Sequence, residues 1–233
     1  MNDFSRQEAV FKPNNKPVHI IGCGATGSWI ALMLVKMGIQ DLRLYDFDKV
    51  EAHNLPNQLY TEDDIGEFKV DALKKHLENF KTSELTQIHK RCFCVDEEVC
   101  HDEICSGTVF CLVDSMSARQ TIIEALQYKY GIDCFIETRM GTDNFRVYCI
   151  DVKNPDHVDR YMNTICDDST TEESACGTSQ TITATAQMLA STAVWRYITY
   201  CKNNNISDIE NNELIVDCNS FYTIQSNFDN AII

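Results

Sequence analysis

The sequence predicts an α/β fold: a mostly parallel central sheet with helices on both faces, closed by antiparallel strands towards the C-terminus. Three observations carry this. Between Val18 and Lys69 a β-branched run meets a glycine turn and a helical stretch, and a second apolar run ends in acid. Short apolar runs then alternate with helix-spaced segments as far as Cys134-Phe135-Ile136, the rhythm of βαβ units and hence of parallel strands. Beyond Glu137 that rhythm gives way to strand-like alternation and a closing hairpin.

Residues 1–16 read as a polar N-terminal arm with one helical piece, Phe4 to Val10, ended by Pro13 and the two asparagines after it. Val18-His19-Ile20-Ile21 is a strand that runs into Gly22-Cys23-Gly24-Ala25-Thr26-Gly27, and Ser28 to Met37 is the helix that follows, stopped by Gly38. In such a G-x-G-x-x-G turn Gly22 makes the tight bend, Gly24 lets a phosphate approach the backbone, and Gly27 lets helix and sheet touch. The free N–H groups at the helix start, around Ala25 and Thr26, favour an anion. Asp41 to Asp46 is a second strand, and Asp46 falls about twenty residues after the glycines, where a ribose diol would lie. The fold expected from this unit is Rossmann-like.

Phe47 to Gln58 is too polar and broken for a strand and reads as a functional loop. Glu67 to Phe80 is a helix with Val70, Leu73, Leu77 and Phe80 on one face. Lys69 lies in its first turn, where a cation opposes the helix dipole and calls for another reason to be there. Gln87 to Val95 is a strand, with Cys92 and Cys94 in alternation along it, and Gly107 to Val113 is a continuous apolar run of the kind found in buried central strands, ending in Asp114. Ser115 to Tyr130 is a helix and Cys134 to Ile136 a strand; Asn144 to Val152 alternates as a strand and Pro155 to Met162 is a short helix. Residues 163–177 read as a mobile crossover loop, Thr178 to Lys202 as a long helix, and Glu213 to Asp217 with Phe221 to Ile224 as the hairpin.

Length and an apolar content of 44% suit one large α/β domain over residues 1–233. A formal net charge of −15 opposes general attraction to nucleic acid or anionic membranes, so any phosphate must be held by local groups. There is no run of eighteen apolar residues and no apolar core in the first sixteen, which predicts a soluble, cytoplasmic protein. The twelve cysteines include no C-x-x-C pair, so they read as reduced thiols and no zinc is expected.

The ordered set is more specific than its parts. Gly22-Cys23-Gly24-Ala25-Thr26-Gly27, Asp46-Phe47-Asp48-Lys49-Val50-Glu51, Asn54-Leu55 with Gln58, Asp64-Ile65-Gly66 with Lys69-Val70, and Asp114 with Arg119 together resemble the ThiF/MoeB/HesA superfamily, the ubiquitin-activating-type adenylyltransferases. The Glu137-Thr138-Arg139-Met140-Gly141 and Ala175-Cys176-Gly177-Thr178 segments resemble the small ThiF-like proteins of bacteria and phages. The resemblance implies ATP- and Mg²⁺-dependent adenylation of a carboxylate, usually the C-terminal glycine of a ubiquitin-like or sulfur-carrier protein, in a homodimer. It implies that Lys69 neutralises the α-phosphate, that Asp114 is the Mg²⁺ ligand, that Asp46 takes the ribose, and that Asp48 and Asn54 hold the nucleotide loop. Gln58 touches phosphate or braces that loop. Arg6 resembles the N-terminal arginine that reaches into a partner's active site. Asn57 departs from the pattern, standing where the family usually has an arginine. Either Cys176 or Cys166 could accept the acyl group as a thioester, and Cys176, at a loop-to-helix start, is the preferred nucleophile.

Plainer readings exist for the same residues. The glycine turn also fits an NAD-dependent oxidoreductase, and the whole pocket a regulatory protein that binds nucleotide without turnover. Lys69 could be an ordinary exposed helix lysine, Asp114 an N-cap, and Arg119 an intrahelical or surface ion pair.

Overall fold

The computed structural model of the protein describes residues 4–81, 86–91, 95–166, 181–203 and 212–226. Strand β1 (Val18–Ile21) is wholly buried and lies at the centre of the molecule, paired in parallel with β2 (Asp41–Tyr45) on one side and β4 (Gly107–Cys111) on the other. Outside β2 runs β3 (Gln87–Arg91), and outside β4 runs β5 (Ile132–Met140), both parallel to their neighbours. The chain then reverses: β6 (Asn144–Ile150), β7 (Glu213–Asp217) and β8 (Thr223–Ser226) add on antiparallel, giving one eight-stranded sheet in the order β3-β2-β1-β4-β5-β6-β7-β8. The expected class, with its parallel core and antiparallel C-terminal strands, is what forms.

Helices cover both faces because residues of the central strands alternate between two cores. Val18, Ile20, Leu42, Leu44, Phe110, Cys134 and Ile136 face helices α1 (Gly27–Lys36), α2 (Lys69–Phe80) and α6 (Thr183–Asn203). Ile21, Tyr45, Val109, Cys111 and Phe135 face the opposite layer, α3 (Glu97–Glu103), α4 (Met116–Leu126) and α5 (Pro155–Met162). Each fully buried aliphatic side chain contributes roughly 1.5–3 kcal/mol, so the doubly covered strands dominate the stability.

Several boundaries differ from the sequence reading. β3 ends at Arg91, residues 92–94 lie outside the described part, and Val95 is not in a strand. The expected alternation of Cys92 and Cys94 along that strand therefore falls outside the described residues. Helix α3 was not anticipated: only Val99 and Cys100 of its seven residues are apolar, too few to show a period, although Asp96 caps it by accepting from the Val99 N–H. The arm forms successive turns about Phe4 and Gln7 in place of a regular helix, and the Phe4 ring packs against Gly38, which has φ +88°. β5 extends through Glu137 to Met140, well past the short apolar run that signalled it. Of the expected crossover loop, residues 163–166 are described and 167–177 are not.

The order of the first five strands places a reversal at β1 and β4, whose connections leave in opposite directions across the sheet. Ligands of open parallel sheets bind in the crevice outside the carboxyl ends of such strands. Here those ends are the Gly22 turn and the Leu112 to Asp114 segment.

Candidate functional site

The glycine turn is shaped by backbone crowding. Gly22 has φ +96°, and a Cβ there would lie 2.7 Å from the Leu112 carbonyl oxygen; one on Gly27 would lie 1.9 Å from the Gly22 carbonyl oxygen. Both positions exclude any side chain. Gly24 is different: a Cβ would meet only the Gln58 amide nitrogen, at 3.9 Å, an ordinary contact. The protein leaves a cradle above Gly24, so the requirement for glycine there comes from what approaches the backbone from outside. Behind it, α1 starts with no side-chain cap at Thr26 and no acid in its first turn, which leaves its N-terminal N–H groups and positive dipole end open to an anion.

Asp46, at the end of β2, fastens the turn. Its Oδ2 accepts the Cys23 N–H at 2.7 Å and its Oδ1 the Asp48 N–H at 2.8 Å. Burial pushes its carboxyl pKa upward, opposed by the Lys69 charge and those N–H donors. Burial also pushes the Cys23 thiol well above its usual range, which leaves it protonated. Asn54 is buried and its Oδ1 accepts the Glu51 N–H, folding the polar loop back on itself as a reciprocal cap.

Lys69 is not an ordinary exposed helix lysine. It opens α2 with its side chain only 10% exposed, its N–H donates to the Asp48 carbonyl, and its Nζ lies 2.8 Å from Asp48 Oδ2. A buried cation in the first turn of a helix is unfavourable by the helix dipole, and the half-exposed Asp48 is its partner. Tyr60, which no motif signalled, ties this lysine to the turn: its buried hydroxyl bridges the Cys23 carbonyl at 2.7 Å and the Lys69 carbonyl at 3.3 Å. Ser28 and Trp29 of α1 anchor the polar loop from the other side, Ser28 Oγ accepting the Leu59 N–H and Trp29 Nε1 donating to the Asn57 carbonyl. A serine and a tryptophan directly after the last glycine were the available signal.

Two side-chain oxygens of this loop, Asn57 Oδ1 and Gln58 Oε1, are buried with no hydrogen-bond partner among the described residues. Such atoms cost free energy unless a donor arrives. Asn57 turns its amide nitrogen to the Thr181 hydroxyl, and the Thr183 hydroxyl donates to the Pro56 carbonyl, so the start of α6 leans on the loop.

Asp114 lies exposed just beyond β4, two residues after the Leu112 carbonyl that abuts Gly22. It does not cap α4; Ser115 does, accepting the Ala118 N–H. Arg119 makes neither an intrahelical nor a surface ion pair. It is buried, donating from Nε to Glu137 on β5 at 2.8 Å and from Nη1 to the Asp114 carbonyl at 3.0 Å. The structure thus gathers Gly22, Gly24, Ala25, Thr26, Gly27, Asp46, Asp48, Asn54, Gln58 and Lys69 about the turn, with Asp114 on the adjoining strand end. Arg6 stands apart: it is exposed on the arm, which docks at the C-terminal end of α1 through Gln7 and the Met37 carbonyl. That end lies about 15 Å from the turn at 1.5 Å per residue over the ten residues of α1. Cys166 is an exposed thiol beyond α5, and Cys176 lies outside the described residues.

An open cradle, a capless helix start, an orphaned acceptor and a buried ammonium fit a phosphorylated nucleotide. No cluster of three metal-binding side chains exists among the described residues. A lone exposed carboxylate fits Mg²⁺, which takes one or two carboxylates and completes its shell with phosphate oxygens and water.

A model of the ThiF family matches residues 3–229. The chain belongs to the ThiF family. It is 26% identical over 141 residues to the tRNA threonylcarbamoyladenosine dehydratase 2 of Saccharomyces cerevisiae, covering 60% of this chain and 31% of that protein. It is 34% identical over 97 residues to the ubiquitin-like modifier-activating enzyme 5 of Drosophila mojavensis, covering 38% of this chain and 24% of that one. The chain thus spans about a third or less of these curated relatives. Among solved structures, the ThiF-family chain superposes on Escherichia coli MccB in complex with MccA-N7isoAsn with a TM-score of 0.70 at 16% identity, over 92% of this chain and 64% of MccB. It superposes on PaaA with a TM-score of 0.70 at 20% identity, over 97% of this chain and 67% of PaaA. These likenesses establish a shared fold. No helix among the described residues is long and apolar enough to cross a membrane.

Proposed function

We propose that this ThiF-family protein adenylates the C-terminal carboxylate of a ubiquitin-like or sulfur-carrier protein ending in glycine. The observation that carries this reading is Lys69, a buried ammonium tied through Tyr60 to the phosphate turn and through its own side chain to the loop bearing Asp46 and Asp48. A carboxylate is a poor nucleophile and a triphosphate repels it, so a catalyst must neutralise the α-phosphate and stabilise the leaving pyrophosphate. Lys69 meets the first need. One carboxylate oxygen attacks the α-phosphorus while the bond from that phosphorus to the bridging oxygen breaks, yielding acyl-adenylate and pyrophosphate. Asp46 orients the ribose, the Gly24 cradle and the start of α1 receive phosphate, and Gln58 Oε1 accepts a donor from the nucleotide. Asp114 would hold Mg²⁺, which when bound neutralises phosphate charge. Arg6, remote from the turn of its own chain, would serve the site of a partner in a homodimer. The acyl group could pass onward to Cys176 or to the exposed Cys166.

The test is ATP–pyrophosphate exchange with Mg²⁺ and a panel of carrier proteins ending in Gly-Gly. Exchange is expected only with a matching carrier, and Lys69→Ala is expected to lower it by about 10²–10³-fold, the usual effect of removing one preorganised donor to a developing charge. Full exchange in Lys69→Ala would remove its assigned role. Tight ATP binding without any acyl-adenylate would favour the nucleotide-binding regulator, and nicotinamide binding with ATP ignored would favour the oxidoreductase.

A further inference from the structure

Behind Asp114 lies a charged group that the glycine turn and the nucleotide loop do not use. Glu137, fully buried on β5, is shared by the buried Arg119 and the partly buried Arg139: its Oε1 accepts Arg119 Nε at 2.8 Å and its Oε2 accepts Arg139 Nε at 3.1 Å. The other donors of Arg119 reach the backbone carbonyls of Asp114 at 3.0 Å and Thr138 at 3.3 Å and the Met116 sulfur at 3.6 Å. Arg139 clamps Thr164 through the carbonyl and the hydroxyl, at 2.7 and 2.8 Å, and lies over the rings of Tyr148 and Tyr161. The group therefore runs without a break from Asp114 to the residues after α5.

Two guanidiniums on one carboxylate leave an excess of positive charge in a largely buried setting, where taking charge out of water is costly. What it holds on the crevice side is the backbone of Asp114. A guanidinium is a planar fork whose donors point in set directions, so anchoring Nε on Glu137 dictates where Nη1 points. That in turn sets the Asp114 carbonyl, which lies between the end of β4 and the Ser115 cap of α4.

We infer that Glu137 is a positioning residue for Asp114, acting through Arg119, and that it tunes the affinity of the site for a divalent cation without touching cation or nucleotide. This rests on the reading of Asp114 as the metal-binding carboxylate. Partners of this kind behind a metal ligand commonly change affinity 10–100-fold.

The experiment titrates Mn²⁺ into the protein with a non-hydrolysable ATP analogue, reading free Mn²⁺ by electron paramagnetic resonance, for the wild type, Asp114→Ala, Glu137→Gln, Arg119→Lys and Arg146→Met. Glu137→Gln keeps shape and loses the charge; Arg119→Lys keeps the charge and loses the fork, and carries the test if the first variant fails to fold. Arg146→Met removes the pair with Glu213 opposite Arg139 across the β5–β6 ladder while leaving the Arg119–Glu137 contact in place, and is expected to bind Mn²⁺ as the wild type does. Glu137→Gln or Arg119→Lys is expected to weaken Mn²⁺ binding about tenfold, while affinity for the analogue in chelator stays at the wild-type value. A merely structural defect would lower both. Wild-type Mn²⁺ affinity in folded Glu137→Gln and Arg119→Lys, with Asp114→Ala impaired, overturns the inference and leaves the Asp114 reading intact. Unchanged Mn²⁺ affinity in Asp114→Ala overturns both.

Discussion

The two walls of the crevice hold their charged groups by different means. On the β1–β2 wall the restraints are local and mostly backbone: Gly22, Gly27, the N–H groups that seat Asp46, and a lysine whose acidic partner is half exposed. On the β4–β5 wall an exposed carboxylate stands on an Arg-Glu-Arg group from α4 and β5, in which Glu137 and Arg119 are buried and Arg139 partly so. The difference lies in where the cost of charge falls. Asp48, the ion-pair partner of Lys69, keeps much of its hydration, and Asp46 keeps two N–H donors when Lys69 is removed; Glu137 is fully buried, and its loss takes the counter-charge from the buried Arg119 and the partly buried Arg139.

The most severe way to test this contrast is to delete one charge from each wall and compare stability. Glu137→Leu is expected to lower unfolding free energy by about 3–5 kcal/mol, because both guanidiniums lose their buried counter-charge. Lys69→Met should lower it by no more than about 1 kcal/mol, since the aliphatic stem is kept and Asp48 is solvated. Urea titrations of the two variants decide it. Equal losses would mean that the walls are built alike.

Within the β1–β2 wall the glycines sharpen the comparison. Gly27→Ala would drive a methyl into the Gly22 carbonyl, and overpacking of this kind costs about 1–3 kcal/mol or more, visible as a lowered melting temperature. Gly24→Ala meets only ordinary contacts and should melt with the wild type, while ATP affinity measured by calorimetry falls about tenfold, as one methyl fills the approach to the backbone. A stable Gly24→Ala protein with unchanged ATP affinity would show that the cradle is not where phosphate enters.

The contrast also explains what could be read from sequence. The β1–β2 wall is written in contiguous residues: β-branched strand, glycines, helix, acid, all between Val18 and Asp46. The parallel order of the first strands and the reversal after Glu137 follow from the same rhythm of apolar runs. The β4–β5 wall joins residues that are local to nothing, Arg119 and Glu137 being 18 positions apart and Arg139 and Thr164 25 apart. Glu137 stood just past the short apolar run Cys134 to Ile136 that signalled β5, and its partners depend on how α4 and α5 pack. Lys69 was singled out as unfavourable for the helix dipole, yet its burial against Asp48 required the loop to be folded. Short polar α3 lacked any periodicity to detect.

Tyr60 offers the finest test, because its hydroxyl touches both the phosphate turn and the start of α2. Its hydroxyl satisfies the Cys23 carbonyl in a buried setting, so Tyr60→Phe leaves that acceptor without its donor at a cost of about 1–3 kcal/mol. The ring stays packed, and the remaining restraints on the turn, Asp46 and the two crowded glycines, are untouched. If local backbone restraints suffice on this wall, ATP affinity of Tyr60→Phe should change less than about threefold, although stability falls; in free-energy terms that is under half of a tenfold step. If instead affinity drops as far as in Gly24→Ala, the turn and Lys69 are coupled through the tyrosine. The β1–β2 wall would then depend, as the opposite one does, on a buried side chain that no local pattern in the sequence announces.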